Sequence, residues 1–237
     1  MNFLEKKKIL LIISGGIAAY KSLDLIRSLI KIQCEVKTIL TKGGAEFVTP
    51  LSITSLSKNK VYSDMYSVEN ESEMDHISLS RWADLILIAP ATSNIIAKMS
   101  QGISDDLATT VVQASNKSIF VCPAMNLRMW EHTSNKQNLE KIKSYNYRII
   151  GPFNGEMACG EYGDGRMADI KYILNELDNF FKSKSNNKKF RAVVTAGPTR
   201  EFIDPVRYIS NRSSGKQGYE IAKSLFNYGF DTTLISG

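Results

Sequence analysis

Three short apolar runs, each ending in small residues or in proline, constrain the fold of this chain more than any other feature. Residues 9–13 are wholly aliphatic and lead into Ser14-Gly15-Gly16, while the runs 84–89 and 118–122 both end at a proline. Strands that are apolar throughout are buried on both faces, which is typical of parallel sheets covered by helices. Because helical patterns lie between them, these runs predict a doubly wound parallel α/β sheet.

Hydrophobic periodicity places the other elements of this domain. Further strands are predicted at about 36–40 and 147–150, and residues 50–75 are polar and irregular, with short helical pieces at most. Helices are predicted between the first two strands and at about 93–100, 104–115, 134–145 and 169–181. In such folds ligands bind outside the carboxyl ends of the strands, which is where the unusual segments of this sequence begin.

The chain divides at a polar, charged stretch without periodicity. Residues 182–189 are typical of a linker, and a new strand begins at Arg191. A helix at about 215–228 and a strand at 231–235 follow. We therefore expect a first domain over 1–181, a linker over 182–189, and the opening strands and helix of an incomplete second α/β domain over 190–237.

Composition excludes several classes of function. The formal net charge is +6, but the basic residues cluster in solvated ends rather than in a stripe interleaved with aromatics, so nucleic-acid binding is not predicted. Cys34, Cys122 and Cys159 form no CxxC pair and no metal-ligand cluster, which is typical of a reduced cytoplasmic protein without a disulfide framework. The first apolar run is too short for a signal peptide or a membrane span.

The turn after the first strand is a candidate anion site. Small residues at Ser14-Gly15-Gly16-Ile17 would let backbone N–H groups approach a phosphate at a helix N-terminus, although such a turn can equally be a plain tight connection. The turn is not GxGxxG, and Thr41 stands where an acidic residue would hold a ribose. These features disfavour NAD and favour a single phosphate, as in FMN.

A second polar segment follows the strand at 84–89. Its hydroxyls and amide suit a flavin edge, while a helix N-cap by Ser93 or Thr92 is the structural alternative. The predicted cofactor-binding residues are Ser14, Gly15, Gly16, Ile17, Thr41, Ala91, Thr92, Ser93 and Asn94.

Three side chains are candidates for chemistry, each with a structural alternative. His76 could act as a base or bind an anion, but a lone histidine is more often structural. Asn126 could donate to a carboxylate or simply cap a helix. Cys159 lies in a glycine-rich segment that predicts a mobile loop, whereas Cys34 and Cys122 are expected in the core. Spacing does not decide whether Cys159 is a nucleophile or an acid.

Three longer signatures carry a family resemblance. They are Pro123-x-Met-Asn-x-x-Met-Trp130, Ala158-Cys-Gly-Glu-x-Gly-x-Gly-Arg-Met167 and the stretch from Thr195 to Gly215. With them the chain resembles the bifunctional phosphopantothenoylcysteine decarboxylase/phosphopantothenate–cysteine ligases of coenzyme A biosynthesis. Its first 185 residues or so resemble the homo-oligomeric flavin-containing cysteine decarboxylases, and the rest resembles the opening of the ligase domain. The segment Pro90-Ala-Thr-Ser-Asn94 departs mildly from the family's Pro-Ala-Ser-Ala-Asn but keeps its small and hydroxyl groups.

The resemblance implies a redox-neutral, FMN-dependent decarboxylation of 4′-phosphopantothenoylcysteine to 4′-phosphopantetheine. The flavin oxidises the cysteinyl side chain to a thioaldehyde, carbon dioxide leaves, and the enethiolate is protonated and reduced again. By position, His76 matches the family's essential histidine, Asn126 the asparagine that holds the carboxylate, and Cys159 the proton donor of a flap. Arg128, Met129 and Trp130 would shape the pocket wall.

The resemblance also implies an assembly and a second activity. The family forms trimers or multiples of trimers, with substrate sites between protomers. Arg207 and Asn211 match residues of the ligase that joins cysteine to 4′-phosphopantothenate with CTP and Mg²⁺. Because the chain ends at Gly237, we expect no ligase activity from it.

Rival hypotheses share the fold. A flavin prenyltransferase would not require the Cys159 flap or the Asn126 segment, and an NAD oxidoreductase would need the missing ribose carboxylate. A non-enzymatic flavoprotein of the halotolerance or phosphatase-inhibitor type could share His76 and the Pro123 segment. The segment 190–237, which resembles the start of the ligase domain, disfavours this non-enzymatic hypothesis. A protein with an intact Cys159 but no turnover would favour it.

Overall fold

The structure is a computed structural model that describes residues 3–65, 75–186, 190–227 and 230–237. It divides into two compact units, Met1–Asn179 and Phe180–Gly237, which are described separately. Within the described ranges, no helix has both the length and the apolar character that a bilayer crossing requires.

The first unit is built on a parallel sheet of six strands in the order β3-β2-β1-β4-β5-β6. The strands are β1 Lys8–Ile13, β2 Glu35–Leu40, β3 Val61–Tyr62, β4 Leu85–Ala91, β5 Ser118–Pro123 and β6 Arg148–Ile149. Strands β2 and β3 lie on one side of β1, and strands β4, β5 and β6 follow on its other side. This change of direction opens a crevice at the carboxyl ends of β1 and β4. The predicted doubly wound sheet is confirmed.

Helices cover the sheet because its strands are buried on both faces. They are α1 Tyr20–Lys31, α2 Lys42–Ala45, α3 Pro50–Ser57, α4 Asp75–Trp82, α5 Ser93–Gln101, α6 Leu107–Gln113, α7 Leu127–Glu131, α8 Thr133–Ser144 and α9 Ile170–Asn186. On one face Leu10 and Ile12 pack in a cluster with residues of α5, α6 and α8. The intervening Ile9 and Leu11 are also fully buried, so the opposite face is covered too.

Parts of the first unit differ from the sequence-based expectation. The stretch 50–75 contains α3, which is one of the short helical pieces expected there, but also the short strand β3, which was not expected. Helix α4 begins at Asp75, and residues 66–74 lie outside the described ones. The last helix continues to Asn186, into the expected linker, and the linker's residues 187–189 also lie outside the described part.

The segment around Cys159 is a β-hairpin rather than the mobile loop expected from its glycines. Its strands are β7 Phe153–Glu156 and β8 Tyr162–Arg166, which pair antiparallel. Gly155 and Gly163 face each other across the pair. Backbone pairing therefore orders this segment even though its side chains have little β-propensity.

The second unit contains a parallel pair and a helix, as expected, together with a hairpin that the sequence did not reveal. Its elements are β9 Arg191–Ala196, β10 Arg200–Phe202, β11 Tyr208–Ser210, α10 Lys216–Asn227 and β12 Asp231–Ser236. Strands β9 and β12 pair in parallel, and β10 pairs antiparallel with β11.

Candidate functional site

Ser14 joins the carboxyl ends of β1 and β4. Its Oγ donates to the carbonyl oxygen of Pro90 at 2.7 Å and accepts from the backbone N–H of Thr92 at 3.1 Å. Because Ser14 is buried, these hydrogen bonds fix the floor of the crevice rather than its surface.

A first cavity of about 600 Å³ opens above this floor. Its walls include the predicted cofactor residues Ser14, Gly15, Thr41, Thr92 and Asn94. The volume is in the range of small-molecule and cofactor sites. The backbones of Gly15 and Gly43 approach so closely that a Cβ on Gly15 would lie 3.1 Å from the Gly43 carbonyl oxygen.

The two threonines at this cavity also cap helices. Thr41 Oγ1 accepts from the N–H of Gly44 at 3.1 Å, and Thr92 Oγ1 accepts from the N–H of Ile95 at 3.4 Å. Thr92, not Ser93, is therefore the N-cap of α5. Both hydroxyls sit at the positive end of a helix, where an anion is favoured.

The hairpin β7–β8 carries Cys159 in its turn and is fastened to the segment after β5. The backbone N–H of Met125 donates to the carbonyl oxygen of Gly165 at 3.0 Å. A Cβ on Gly165 would overlap the carbonyl oxygen of Met125. The approach of these two backbones therefore requires glycine at this position.

Asn126 caps α7 and faces a cavity at the same time. Its Oδ1 accepts from the N–H of Met129 at 2.8 Å, so the structural alternative for this residue is correct. The Nδ2 group is the remaining part of the amide that can donate to a ligand.

Asn126 and Cys159 line a second cavity of about 560 Å³. Gly16 and Ile17 also line it, and Gly15 lines both cavities. The two cavities therefore lie on either side of the turn between β1 and α1.

The remaining predicted residues lie elsewhere. Met129 lines the first cavity, whereas Arg128 and Trp130 line neither, and Trp130 packs partly buried against the core. Ala91 is buried in β4, and Ser93 begins α5 and lines neither of these two cavities. His76, in the first turn of α4, also lines neither cavity.

The three cysteines differ in environment. Burial raises the pKa of the Cys34 thiol to about 11 and that of Cys122 further still, which confirms their expected place in the core. Cys159 is exposed, and its Sγ donates to Glu161 Oε2 at 3.6 Å. Cys159 is thus the thiol that a ligand in the second cavity can reach.

A charged cluster in the first cavity was not foreseen from the sequence. Lys98 Nζ contacts Asp105 Oδ1 at 2.7 Å and Asp106 Oδ2 at 2.9 Å. Burial acts to raise the pKa of Asp106, but hydrogen bonds from Thr109 and Lys98 outweigh it and hold that pKa below its usual value. The cluster is internally paired and anchors the start of α6, which Asp106 caps.

In the second unit a cavity of about 660 Å³ lies where β9 and β12 end. The ligase-like residues Arg207 and Asn211 do not line it. Arg207 Nε contacts Asp204 Oδ2 at 2.6 Å, and Asn211 Oδ1 accepts from the N–H of Ser213 at 3.0 Å. Within the described ranges, no group of three or more His, Cys, Asp or Glu side chains could hold a metal ion.

Comparison with known families divides the chain in two. Residues 2–182 match the family described as Flavoprotein. Residues 187–237 match the family described as DNA/pantothenate metabolism flavoprotein C-terminal domain.

Individual relatives agree with this division. The coenzyme A biosynthesis bifunctional protein CoaBC of Haemophilus influenzae is 45% identical over 234 residues, which is 99% of this chain and 58% of the relative. The chain thus spans little more than half the length of that curated relative.

Two solved structures match about three quarters of the chain. A cysteine-to-serine mutant of PPC decarboxylase, complexed with pantothenoylaminoethenethiol, has a TM-score of 0.67 at 29% identity and covers 75% of this chain and 100% of its own. The FMN-binding protein AtHal3 has a TM-score of 0.65 at 30% identity and covers 76% of this chain and 98% of its own.

Proposed function

Because the chain belongs to the Flavoprotein family through residues 2–182, we propose that it binds FMN and decarboxylates 4′-phosphopantothenoylcysteine to 4′-phosphopantetheine. One observation carries the proposal. The thiol of Cys159 and the amide of Asn126 line one cavity, and Gly15 connects that cavity to the crevice at the carboxyl ends of β1 and β4. A substrate group in the second cavity would therefore lie beside a cofactor in the first.

The crevice fits FMN in size and in donor chemistry. The closely approaching glycine backbones leave room that side chains would fill, and the hydroxyls of Thr41 and Thr92 lie at helix N-termini. Ser14, Gly15, Thr41, Thr92 and Asn94 would hold FMN, with Gly16 and Ile17 on the adjoining wall of the second cavity. Bound FMN supplies an acceptor for two electrons that are later returned, so the reaction has no net oxidation.

The protein's own residues bind the substrate and move a proton. Asn126 Nδ2 donates to the substrate carboxylate and orients it, because Oδ1 is already held by the cap. Cys159 gives its proton to the carbon chain after carbon dioxide has left. The hairpin that carries Cys159 forms one wall of this cavity.

His76 supports a proposal about assembly. It lines neither cavity, while Ile17 is 57% exposed and Met129 46% exposed at the cavity walls. We propose that the protein is a homotrimer or a multiple of trimers in the cytoplasm, and that a neighbouring copy brings His76 to the site of Cys159. The three cysteines, all free, are those expected in a reducing compartment.

A turnover assay tests the proposal. The purified chain is incubated with FMN and 4′-phosphopantothenoylcysteine, and carbon dioxide and 4′-phosphopantetheine are measured. We expect a yellow protein that forms both products in equal amounts. Protein that stays colourless contradicts FMN binding, and yellow protein without turnover favours the regulatory flavoprotein. A parallel reaction with CTP, Mg²⁺, cysteine and 4′-phosphopantothenate tests the second unit for ligase activity.

A further inference from the structure

Asn135 is the one amide side chain among the buried residues that the structure describes, with an exposed fraction of 1%. It lies in the first turn of α8, whose other buried residues are Leu139 and Ile142. This spacing is that of the apolar stripe by which a helix faces the core. The helical pattern therefore favours an apolar residue at position 135, and a polar amide stands there instead.

Helix capping does not explain this amide. The N-cap of α8 is His132, whose Nδ1 accepts from the backbone N–H of Ser134 at 3.3 Å. Asn135 Oδ1 has no hydrogen-bond partner among the residues that the structure describes. An unpaired acceptor in the interior lowers the stability of the fold, so packing alone would favour an apolar side chain. Residues that break a local rule in this way are expected mainly at functional sites.

The hydrogen bond that Asn135 does make leads to the second cavity. Its Nδ2 donates to the Sδ atom of Met125 at 3.2 Å. A thioether sulfur can only accept, so this contact also fixes which end of the amide faces Met125. Met125 lines the second cavity, precedes Asn126 in the chain and packs partly buried against the core. The buried amide is thus one side chain removed from the cavity wall.

Met125 is a side chain whose orientation needs such a restraint. Its backbone is held because its N–H donates to the carbonyl oxygen of Gly165 at 3.0 Å. Its side chain is unbranched, has three rotatable bonds and adapts to irregular gaps. A hydrogen bond onto Sδ selects the rotamers that bring the sulfur toward α8, and with them the shape of the wall beside Asn126.

We propose that Asn135 is a positioning residue, which holds the thioether of Met125 in one orientation and thereby sets the shape of the second cavity beside Asn126. The proposal rests on the proposed function, because it assumes that the substrate occupies this cavity. Asn135 itself lines neither of the first unit's two larger cavities, so its effect on the substrate is indirect. Met125 does not line the first cavity either, so FMN binding should not depend on this pair.

A double-mutant cycle on the FMN-loaded chain tests the coupling between the two side chains. We measure KM and kcat for 4′-phosphopantothenoylcysteine, FMN affinity and the thermal unfolding temperature of the parent, Asn135→Val, Met125→Leu and the double variant. Asn138→Val is the matched control. Asn138 lies about one turn further along α8, its Oδ1 accepts from Ser100 Oγ at 2.8 Å, and it lines neither the first nor the second cavity.

We expect Asn135→Val to raise KM by about threefold or more, while FMN affinity and the unfolding temperature are retained. In the Met125→Leu background the same substitution should have no further effect on KM, because the acceptor of the hydrogen bond is already gone. Asn138→Val should lower the unfolding temperature and leave KM unchanged. If Asn135→Val does not fold, Asn135→Ala takes its place in the cycle, because alanine adds no atoms to the core.

Several results would overturn the positioning role. A parent-like KM in Asn135→Val contradicts it while leaving the proposed function intact. An equal rise in KM with and without the Met125 thioether shows that Asn135 does not act through Met125, and weaker FMN binding shows that it supports the fold in general. A parent chain that forms no product contradicts the proposed function, and the positioning role falls with it.

Discussion

At the residue scale, Cys159 combines exposure with a position on the wall of the second cavity. We expect Cys159→Ser to lower turnover by about 100-fold or more, because a hydroxyl is a much poorer proton donor than a thiol and general acids contribute factors of this size. Flavin reduction should still occur, so the flavin absorbance should fall on mixing with substrate without formation of 4′-phosphopantetheine. Stopped-flow absorbance and product analysis measure the two steps.

The control for that variant is Cys34→Ala, which removes a buried thiol that lines neither cavity and should retain turnover. Turnover of Cys159→Ser at the parent rate would contradict the role of Cys159 as proton donor.

Asn126 has two roles that a pair of variants can separate. Asn126→Ala removes the cap of α7 and should cost about 1 kcal/mol of stability as well as turnover. Asn126→Asp keeps a good capping oxygen but places a negative charge opposite the substrate carboxylate, so stability should be retained and KM should rise. Thermal unfolding and steady-state kinetics provide the measurements. Normal KM in Asn126→Asp would show that this amide does not contact the carboxylate.

The cofactor residues that sequence reasoning placed in the first cavity share one property, which is that they lie at or just after the end of a predicted strand. Ser14, Thr41 and Thr92 could be placed at one edge because parallel strands bring their carboxyl ends together. Lys98 and Asp106 gave no such signal, because one lies within α5 and the other caps α6. Their contact depends on the course of the loop between the two helices, which no local pattern specifies.

At the scale of elements, the hairpin β7–β8 depends on close backbone approach at Gly165. We expect Gly165→Ala to displace the hairpin from Met125 and to abolish turnover while FMN binding at the first cavity persists. The matched variant is Gly163→Ala, whose Cβ would lie 2.9 Å from Leu127 Cδ1, a side-chain atom that can move. Its loss of turnover should be clearly smaller. Equal losses in the two variants would argue against a special role for the contact with Met125.

Elements could be predicted where a strand is buried along its whole length, because its sequence is then an uninterrupted apolar run. Strand β1 and its neighbours β4 and β5 are apolar along their length, so their existence and order along the chain could be predicted. The hairpin strands carry glycines and charged residues, and their pairing is specified by the partner strand rather than by their own composition. Strand β3 has only two residues and is too short to show a period.

At the scale of the whole molecule, the separation of His76 from the cavities predicts complementation between inactive variants. His76→Asn and Cys159→Ser should each be inactive alone. If sites form between copies, unfolding and refolding the two together should restore about a quarter of the parent turnover, because each site draws its two copies at random. Mixed protein that stays inactive would contradict shared sites, and light scattering would report the number of subunits independently.

The glycine that borders both cavities has a consequence for how the protein responds to its ligands. Gly15 is part of two walls at once, and its backbone is already in contact range of Gly43. A movement of the Gly15 peptide that improves the fit of a ligand in one cavity also changes the shape of the other cavity. The two binding equilibria are therefore expected to be thermodynamically linked, with each ligand changing the dissociation constant of the other by the same factor.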